Sequence, residues 1–209
     1  MFGIPYIDAA GEAEAQCAKL EELSLTAGTI TEDSDIWLFG ANNVYRHFFN
    51  DDKYVSQYKM NDIEFHIRMT RENLICFAML VGSDYTDGVM SIGPVTAIEI
   101  LSEFQGDGLE PLIKFRDWQQ QALSDKKLIG KKELKKLLKY RLPQDFPSRA
   151  VFDGYTRPIA DLSTDQFSWG TPELDELREY AYKNFGWDQR KADDKLLPVM
   201  KKMNEKKLQ

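Results

Sequence analysis

Five carboxylates stand where they could do chemistry. Glu12 and Glu14 lie two residues apart in "DAAGEAEA", Asp33 and Asp35 two apart in "TITEDSD", and Asp84 follows in "LVGSDYTDG". Taken alone, either pair reads as an acidic turn or the first turn of a helix, where a carboxylate is favoured by the partial positive charge of the helix start. Gathered in one place, the five would repel one another and push their pKa values up. Hard divalent cations with oxygen ligands, Mg²⁺ or Mn²⁺, remove that conflict. Two such ions about 4 Å apart form the clamp used for in-line displacement at phosphorus. Asp87, followed by Gly88, is a turn signal and a weaker candidate.

The spacing restricts the elements that could position these acids. Successive helical residues rotate by about 100°. Glu12 and Glu14 can therefore face one site only if Glu12 is extended or capping and Glu14 lies in the first turn, a transition that Gly11 permits. Asp33 and Asp35 would share a side if their segment is extended, with Glu32 and Ser34 pointing away. The pattern predicts a strand at "FGIPYID", a helix over "GEAEAQCAKLEEL" with Ala13, Cys17 and Leu20 on its small and apolar face, a strand at "GTITEDSD" and another from Val44 to Phe49. Alternating strand and helix point to an α/β core, with acids beyond the carboxyl ends of its strands.

From residue 70 the character becomes helical. "TRENLICFAMLVG" (70–82) is a buried helix that Thr70 can cap, with Asn73 where a capping box prefers Glu or Gln. A second helix starts at Pro94 in "GVMSIGPVTAIEIL". Gly88 and Gly93 allow close backbone approach there. The free N–H groups of Val95 and Thr96 make a ready phosphate site, and two helices joined by such a loop can clamp a DNA backbone without reading its sequence. An ordinary helical corner has the same pattern. Further helices follow, two of them separated by "FGWD".

The chain has 209 residues and a net charge of −7. That charge argues mildly against nucleic acid, but it is uneven: residues 126–141 carry eight basic residues and one acid. An acidic site beside a basic stripe suits a metal-dependent enzyme acting on a polyanion. No apolar run is long enough to span a bilayer, and no signal peptide is visible. Cys17 and Cys76 suggest neither a disulfide framework nor a zinc site. His47 and His66 have no ligand spacing and are expected to be structural or surface residues. Trp37, Trp118, Trp169 and Trp187 are expected to pack in the core.

"FGIPYIDAAGEAEAQCA", "TITEDSDIWLFGANNVYRHFFN" and "LVGSDYTDGVMSIGPVTAIEIL" resemble the internal nuclease region of the flap-endonuclease superfamily. "GLEPLIKFRDW", "DFPSRAVFDGYTRP" and "FSWGTPELDELREYAYKNFGW" resemble its xeroderma pigmentosum group G branch, including the fungal members. The resemblance implies a partial PIN-like α/β core with a mostly parallel central sheet, plus a helix–two-turn–helix DNA-binding element over roughly 71–104. It implies a structure-specific endonuclease making the 3′ incision of nucleotide excision repair at junctions of single- and double-stranded DNA, such as bubbles and splayed arms. The alternatives are a flap endonuclease or junction resolvase of the same superfamily, or a DNA-binding fragment without catalysis.

The resemblance further assigns Glu12, Glu14, Asp33, Asp35 and Asp84 to two Mg²⁺ ions, with Mn²⁺ able to substitute. It assigns the carbonyls of Val81, Gly88 and Ile92 to a K⁺ ion, and DNA contact to Gly88, Gly93, Pro94, Val95 and Thr96. Its implied division is a metal-carboxylate core over 1–69, a helix–two-turn–helix and basic region over 70–145, and a C-terminal helical region packing on the core over 146–209. The N-terminal nuclease region, with two more metal aspartates, is expected to be absent. A nuclear monomer working with repair-complex proteins and without membrane contact completes the expectation.

Overall fold

The clearest local start signals are the capping box at Thr70 and Pro94 at the head of a later helix. The structure, a computed structural model, describes residues 1–50, 54–124 and 132–207. The first helix, α1 (Ala13–Glu22), starts after an extended Glu12 and buries Ala15, Gln16 and Ala18. Strand β1 is only Thr29–Ile30. A single 3₁₀ turn, Asp35–Trp37, leads to β2 (Asn43–Arg46), and β3 (Ser56–Lys59) follows.

The sheet runs β1-β2-β3, with β1 parallel to β2 and β2 antiparallel to β3. The expected α/β character is present, but the sheet is small and mixed rather than mostly parallel. Loop length is the reason. A parallel return needs a crossover of about a dozen residues. Residues 31–42 provide one between β1 and β2, whereas 47–55 are too few between β2 and β3. The segment "FGIPYID" forms no strand. Gly3 adopts a left-handed φ of 71° and its carbonyl accepts the Gly170 N–H, while the carbonyl of Met1, just before the segment, accepts the Glu173 N–H, both at 2.8 Å.

Helix α2 (Met60–Ile67) follows β3 directly, and α3 (Arg71–Val81) follows a capping box closed by Asn73. The Asn73 N–H donates to Thr70 Oγ1 and the Thr70 N–H to Asn73 Oδ1, both 3.3 Å. This satisfies donors that a helix start would otherwise leave unpaired. Helix α3 buries Ile75, Cys76, Ala78, Met79 and Leu80 against α4 (Pro94–Glu103) and α6 (Arg149–Thr156), with α5 (Glu110–Ser124) packed on α4. A 3₁₀ segment, Lys132–Lys139, places Leu134 and Leu137 against the same core. Lys136 pairs with Glu99 at 2.8 Å. The rest of the Lys-rich stripe, 126–131, lies outside the described residues.

Two compact units result, Ala9–Thr164 and Met1–Asp8 with Asp165–Gln209. The second is built on α7 (Leu174–Phe185) and α8 (Gln189–Lys207), whose junction turns at a left-handed Gly186. Arg178 joins them through Asp193 at 2.7 Å. Among the described residues, no helix is long and apolar enough to cross a membrane. Trp37 and Trp118 pack on the core as expected, and Trp187 is half-buried beside Phe185. Trp169 does not: it is 72 % exposed, on a segment with no regular structure.

Candidate active site

The first pair of acids meets the condition its spacing sets. Glu12 is extended, with φ −67° and ψ 136°, and Glu14 lies in the first turn of α1. The second pair departs from the expected extended segment. The Asp33 carboxylate accepts the Asp35 N–H at 2.9 Å, and the Asp33 N–H donates to Thr31 Oγ1 at 3.0 Å. These short-range bonds fold the chain beyond β1 into a turn. Asp35 then opens the 3₁₀ helix, with Ile36 behind it fully buried. Asp84 lies exposed where α3 has ended, in a turn closed by reciprocal Ser83–Thr86 backbone bonds of 2.8 and 3.1 Å.

Hydroxyl groups connect these segments. Thr31 Oγ1 donates to Glu14 Oε1 at 3.4 Å. Tyr155, from α6, places its hydroxyl 2.7 Å from Asp35 Oδ2 and 2.9 Å from Ser83 Oγ. Ser83 Oγ accepts the Tyr85 N–H at 3.4 Å. Neither Thr31 nor Tyr155 was marked as functional by residue type and spacing. A tyrosine buried as deeply as Tyr155 must find a partner for its hydroxyl, and that need is the one sequence-level signal it gives.

The electrostatics show which acids sense one another. Burial raises the pKa of Asp35 above the ordinary carboxylate range; the Tyr155 hydrogen bond opposes this, and the charges of Asp33, Asp84 and Glu14 add to it. Burial likewise raises the Tyr85 hydroxyl, with Glu12, Asp35 and Asp84 contributing. All five acids thus lie within electrostatic reach of one Asp–Tyr neighbourhood. Among the described residues, however, no three Asp, Glu, His or Cys side chains are gathered tightly enough to hold a metal ion as they stand. The donor set is all oxygen and suits a hard divalent cation, whose charge would relieve the repulsion felt by Asp35. His47 and His66 belong elsewhere: His47 Nδ1 is 3.3 Å from Ser56 Oγ, and His66 lies edge-on to Phe65.

A cavity of about 500 Å³ adjoins Glu12, lined also by Tyr85, Val151, Gly154, Arg157 and Ile159 among others. On the other side of the Asp84 turn, Gly88 (φ 72°) folds the loop back onto the end of α3. A Cβ at Gly88 would stand 2.5 Å from Gly82 N and 2.7 Å from Val81 C. Val89 N–H donates to Leu80 O at 2.9 Å, and Gly93 precedes Pro94 in open space, with nothing within 4 Å of a Cβ built there.

The XPG I-region model matches residues 3–84. A DNA excision repair protein ERCC-5 homolog of Xenopus laevis is 49 % identical over 100 % of this chain, which spans 18 % of that relative's length. The solved catalytic core of Rad2 (complex I) is 41 % identical with a TM-score of 0.84, covering 94 % of this chain and 68 % of that one. The Rad2 core in complex with DNA substrate (complex II) is 42 % identical with a TM-score of 0.87, covering 95 % of this chain and 64 % of that one. A eukaryotic junction-resolving enzyme GEN-1 binding with potassium is 26 % identical with a TM-score of 0.71, covering 95 % and 54 %.

Proposed function

The chain belongs to the XPG I-region family, alongside the ERCC-5 and Rad2 repair endonucleases, and on that premise we propose that it serves a structure-specific DNA endonuclease making the 3′ incision of nucleotide excision repair. The observation that carries this reading is the hydrogen bonding that links the acid-bearing segments: Tyr155 joins Asp35 to Ser83 beside Asp84, the Asp33 carboxylate accepts the Asp35 N–H, and Thr31 reaches Glu14. Glu12, Glu14, Asp33, Asp35 and Asp84 would hold two Mg²⁺ ions, or Mn²⁺ in their place. When bound, such ions supply charge stabilisation at the attacking and leaving oxygens of a phosphodiester. The chain's own part is to orient these carboxylates at the edge of a helical scaffold.

The α3–loop–α4 unit is proposed as a helix–two-turn–helix that grips duplex DNA by its backbone. Gly88, Gly93, Pro94, Val95 and Thr96 would form the contact, and the open surface at Gly93 supports it. A K⁺ ion held by the carbonyls of Val81, Gly88 and Ile92 fits the close approach of Gly88 to Val81. In this division of labour, 1–69 supplies four of the acids, 70–145 supplies Asp84 and grips duplex, and 146–209 supplies further helices. The protein would act in the nucleus as a monomer, with repair-complex proteins delivering an opened DNA bubble.

The test is cleavage by the full-length protein of bubble, 5′-flap and four-way-junction DNA in Mg²⁺ and in EDTA. Mg²⁺-dependent cutting with a preference for the bubble supports the reading. A preference for the flap or the junction moves the protein to another branch of the superfamily. Binding without cutting makes it a DNA-binding module.

A further inference from the structure

Resting on that nuclease reading, we propose that Tyr155 is a positioning residue of the acidic site: its hydroxyl locks the Asp35 carboxylate to the turn that carries Asp84. Proton accounting gives the lock a direction. A carboxylate can only accept, so Tyr155 Oη donates its one proton to Asp35 Oδ2 at 2.7 Å. The 2.9 Å contact with Ser83 must then run the other way, with Ser83 Oγ donating to Tyr155 Oη. Ser83 Oγ in turn accepts the Tyr85 N–H. One directed chain of hydrogen bonds runs from the residue after Asp84 to Asp35.

The tyrosine is itself fixed at three points. Its ring stacks on Tyr85 at 4.6 Å and lies 5.1 Å from Phe39. Its carbonyl accepts from Arg71 at 2.8 Å. Its neighbour Gly154 leaves room for Tyr85, since a Cβ there would stand 3.1 Å from that ring. Asp35 meets three like charges, from Asp33, Asp84 and Glu14, and Tyr155 is the side chain that donates to it. Without that donor the carboxylate is free to swing away from Asp84. Tyr155 touches neither metal ion nor substrate in this account and acts through Asp35 alone.

The test compares full-length wild type with Tyr155→Phe, which keeps the ring and removes Oη. Mn²⁺ affinity is read by EPR of the free ion, and the Mg²⁺ dependence of bubble cleavage and the Tm are read alongside. Removing a partner that orients a metal ligand costs about 10–100-fold in metal affinity or activity. A loss of that size is expected in Mn²⁺ affinity and in half-saturating Mg²⁺, with the KM for DNA unchanged. Ser83→Ala should shift both in the same direction by less, and it keeps the proposal testable if Tyr155→Phe does not fold. Wild-type Mn²⁺ affinity in Tyr155→Phe overturns the proposal, whether or not its Tm falls, because a purely structural tyrosine would move the Tm alone. A wild type that neither binds Mn²⁺ nor cuts DNA overturns the nuclease reading, and this proposal with it.

Discussion

The Arg71 guanidinium donates a 2.8 Å hydrogen bond to the carbonyl of Tyr155, 84 positions further along the chain. A second, from Arg71 Nε, reaches the Leu38 carbonyl at 2.8 Å. One planar fork at the start of α3 thus joins the end of the Asp35–Trp37 turn to the end of α6. Burial pushes the guanidinium pKa down, yet an arginine keeps its charge throughout the working pH range. Lysine has no such fork. Arg71→Lys is expected to cost about 1–3 kcal/mol, from a lost bond and an unpaired carbonyl. Thermal unfolding checks this, at about 2–4 °C per kcal/mol for a chain of this size. An unchanged Tm would show that the fork contributes nothing.

Asp35→Asn separates what the site needs from what the fold prefers. The amide still accepts from Tyr155 but no longer faces Asp33, Asp84 and Glu14 as a like charge. In EDTA the variant should therefore unfold at a temperature equal to or a few degrees above wild type, about 1 kcal/mol being typical when an acid that serves function rather than stability is removed. Added Mg²⁺ should raise the wild-type Tm more than the variant's. Cleavage should be lost. A variant that cuts at the wild-type rate in Mg²⁺ would remove Asp35 from the site.

Gly88 and Gly93 should respond in opposite ways. A Cβ at Gly88 collides with Gly82 N at 2.5 Å and must also adopt a φ of 72°, so Gly88→Ala should lower stability by several kcal/mol and weaken DNA binding as a consequence. A side chain at Gly93 meets nothing within 4 Å. Gly93→Asp should therefore leave the stability within about 0.5 kcal/mol of wild type while weakening duplex binding evenly across sequences. Binding assays on several duplexes check this. A loss confined to certain sequences would contradict recognition of the backbone.

The two thiols should be slow to react. Burial pushes the Cys76 thiol up to about 12, with Glu72 adding to the shift, and burial followed by the charge of Glu14 raises Cys17. At pH 8 a thiol of pKa about 12 is about one part in 10⁴ thiolate, the reactive form. Iodoacetamide followed by mass spectrometry should label half-buried Cys17 ahead of Cys76, with Cys76 modified only after denaturation. Labelling of Cys76 first would mean that α3 is not packed as described.

The sequence was most informative where the controlling interactions are short-range. Gly11 and the helical pattern after it led to the extended Glu12 and first-turn Glu14, and Thr70 led to the start of α3. At Asp33 the turn, one of the two readings open to it, replaces the extended one, because its side chain bonds the backbone two residues on and bends a segment whose composition suits a strand. The strand β3 and helix α2 were not anticipated. Their polar and aromatic residues alternate weakly, and β3 is held by pairing with β2 rather than by a buried face. Tyr155 lay furthest from view, since its partner Asp35 is 120 positions away and "FDGYTRP" looks like any helix with a buried ring.

That distance bears on how a minimal version of this protein should be cut. All five acids and the α3–loop–α4 unit are encoded by residue 103, so a motif-guided truncation would stop soon after it. Such a piece would keep each carboxylate and lose the hydroxyl that α6 contributes to Asp35 and the carbonyl it contributes to Arg71. The smallest working unit must extend beyond Thr156, and a missense change within 149–156 should be weighed as seriously as one among the acids themselves.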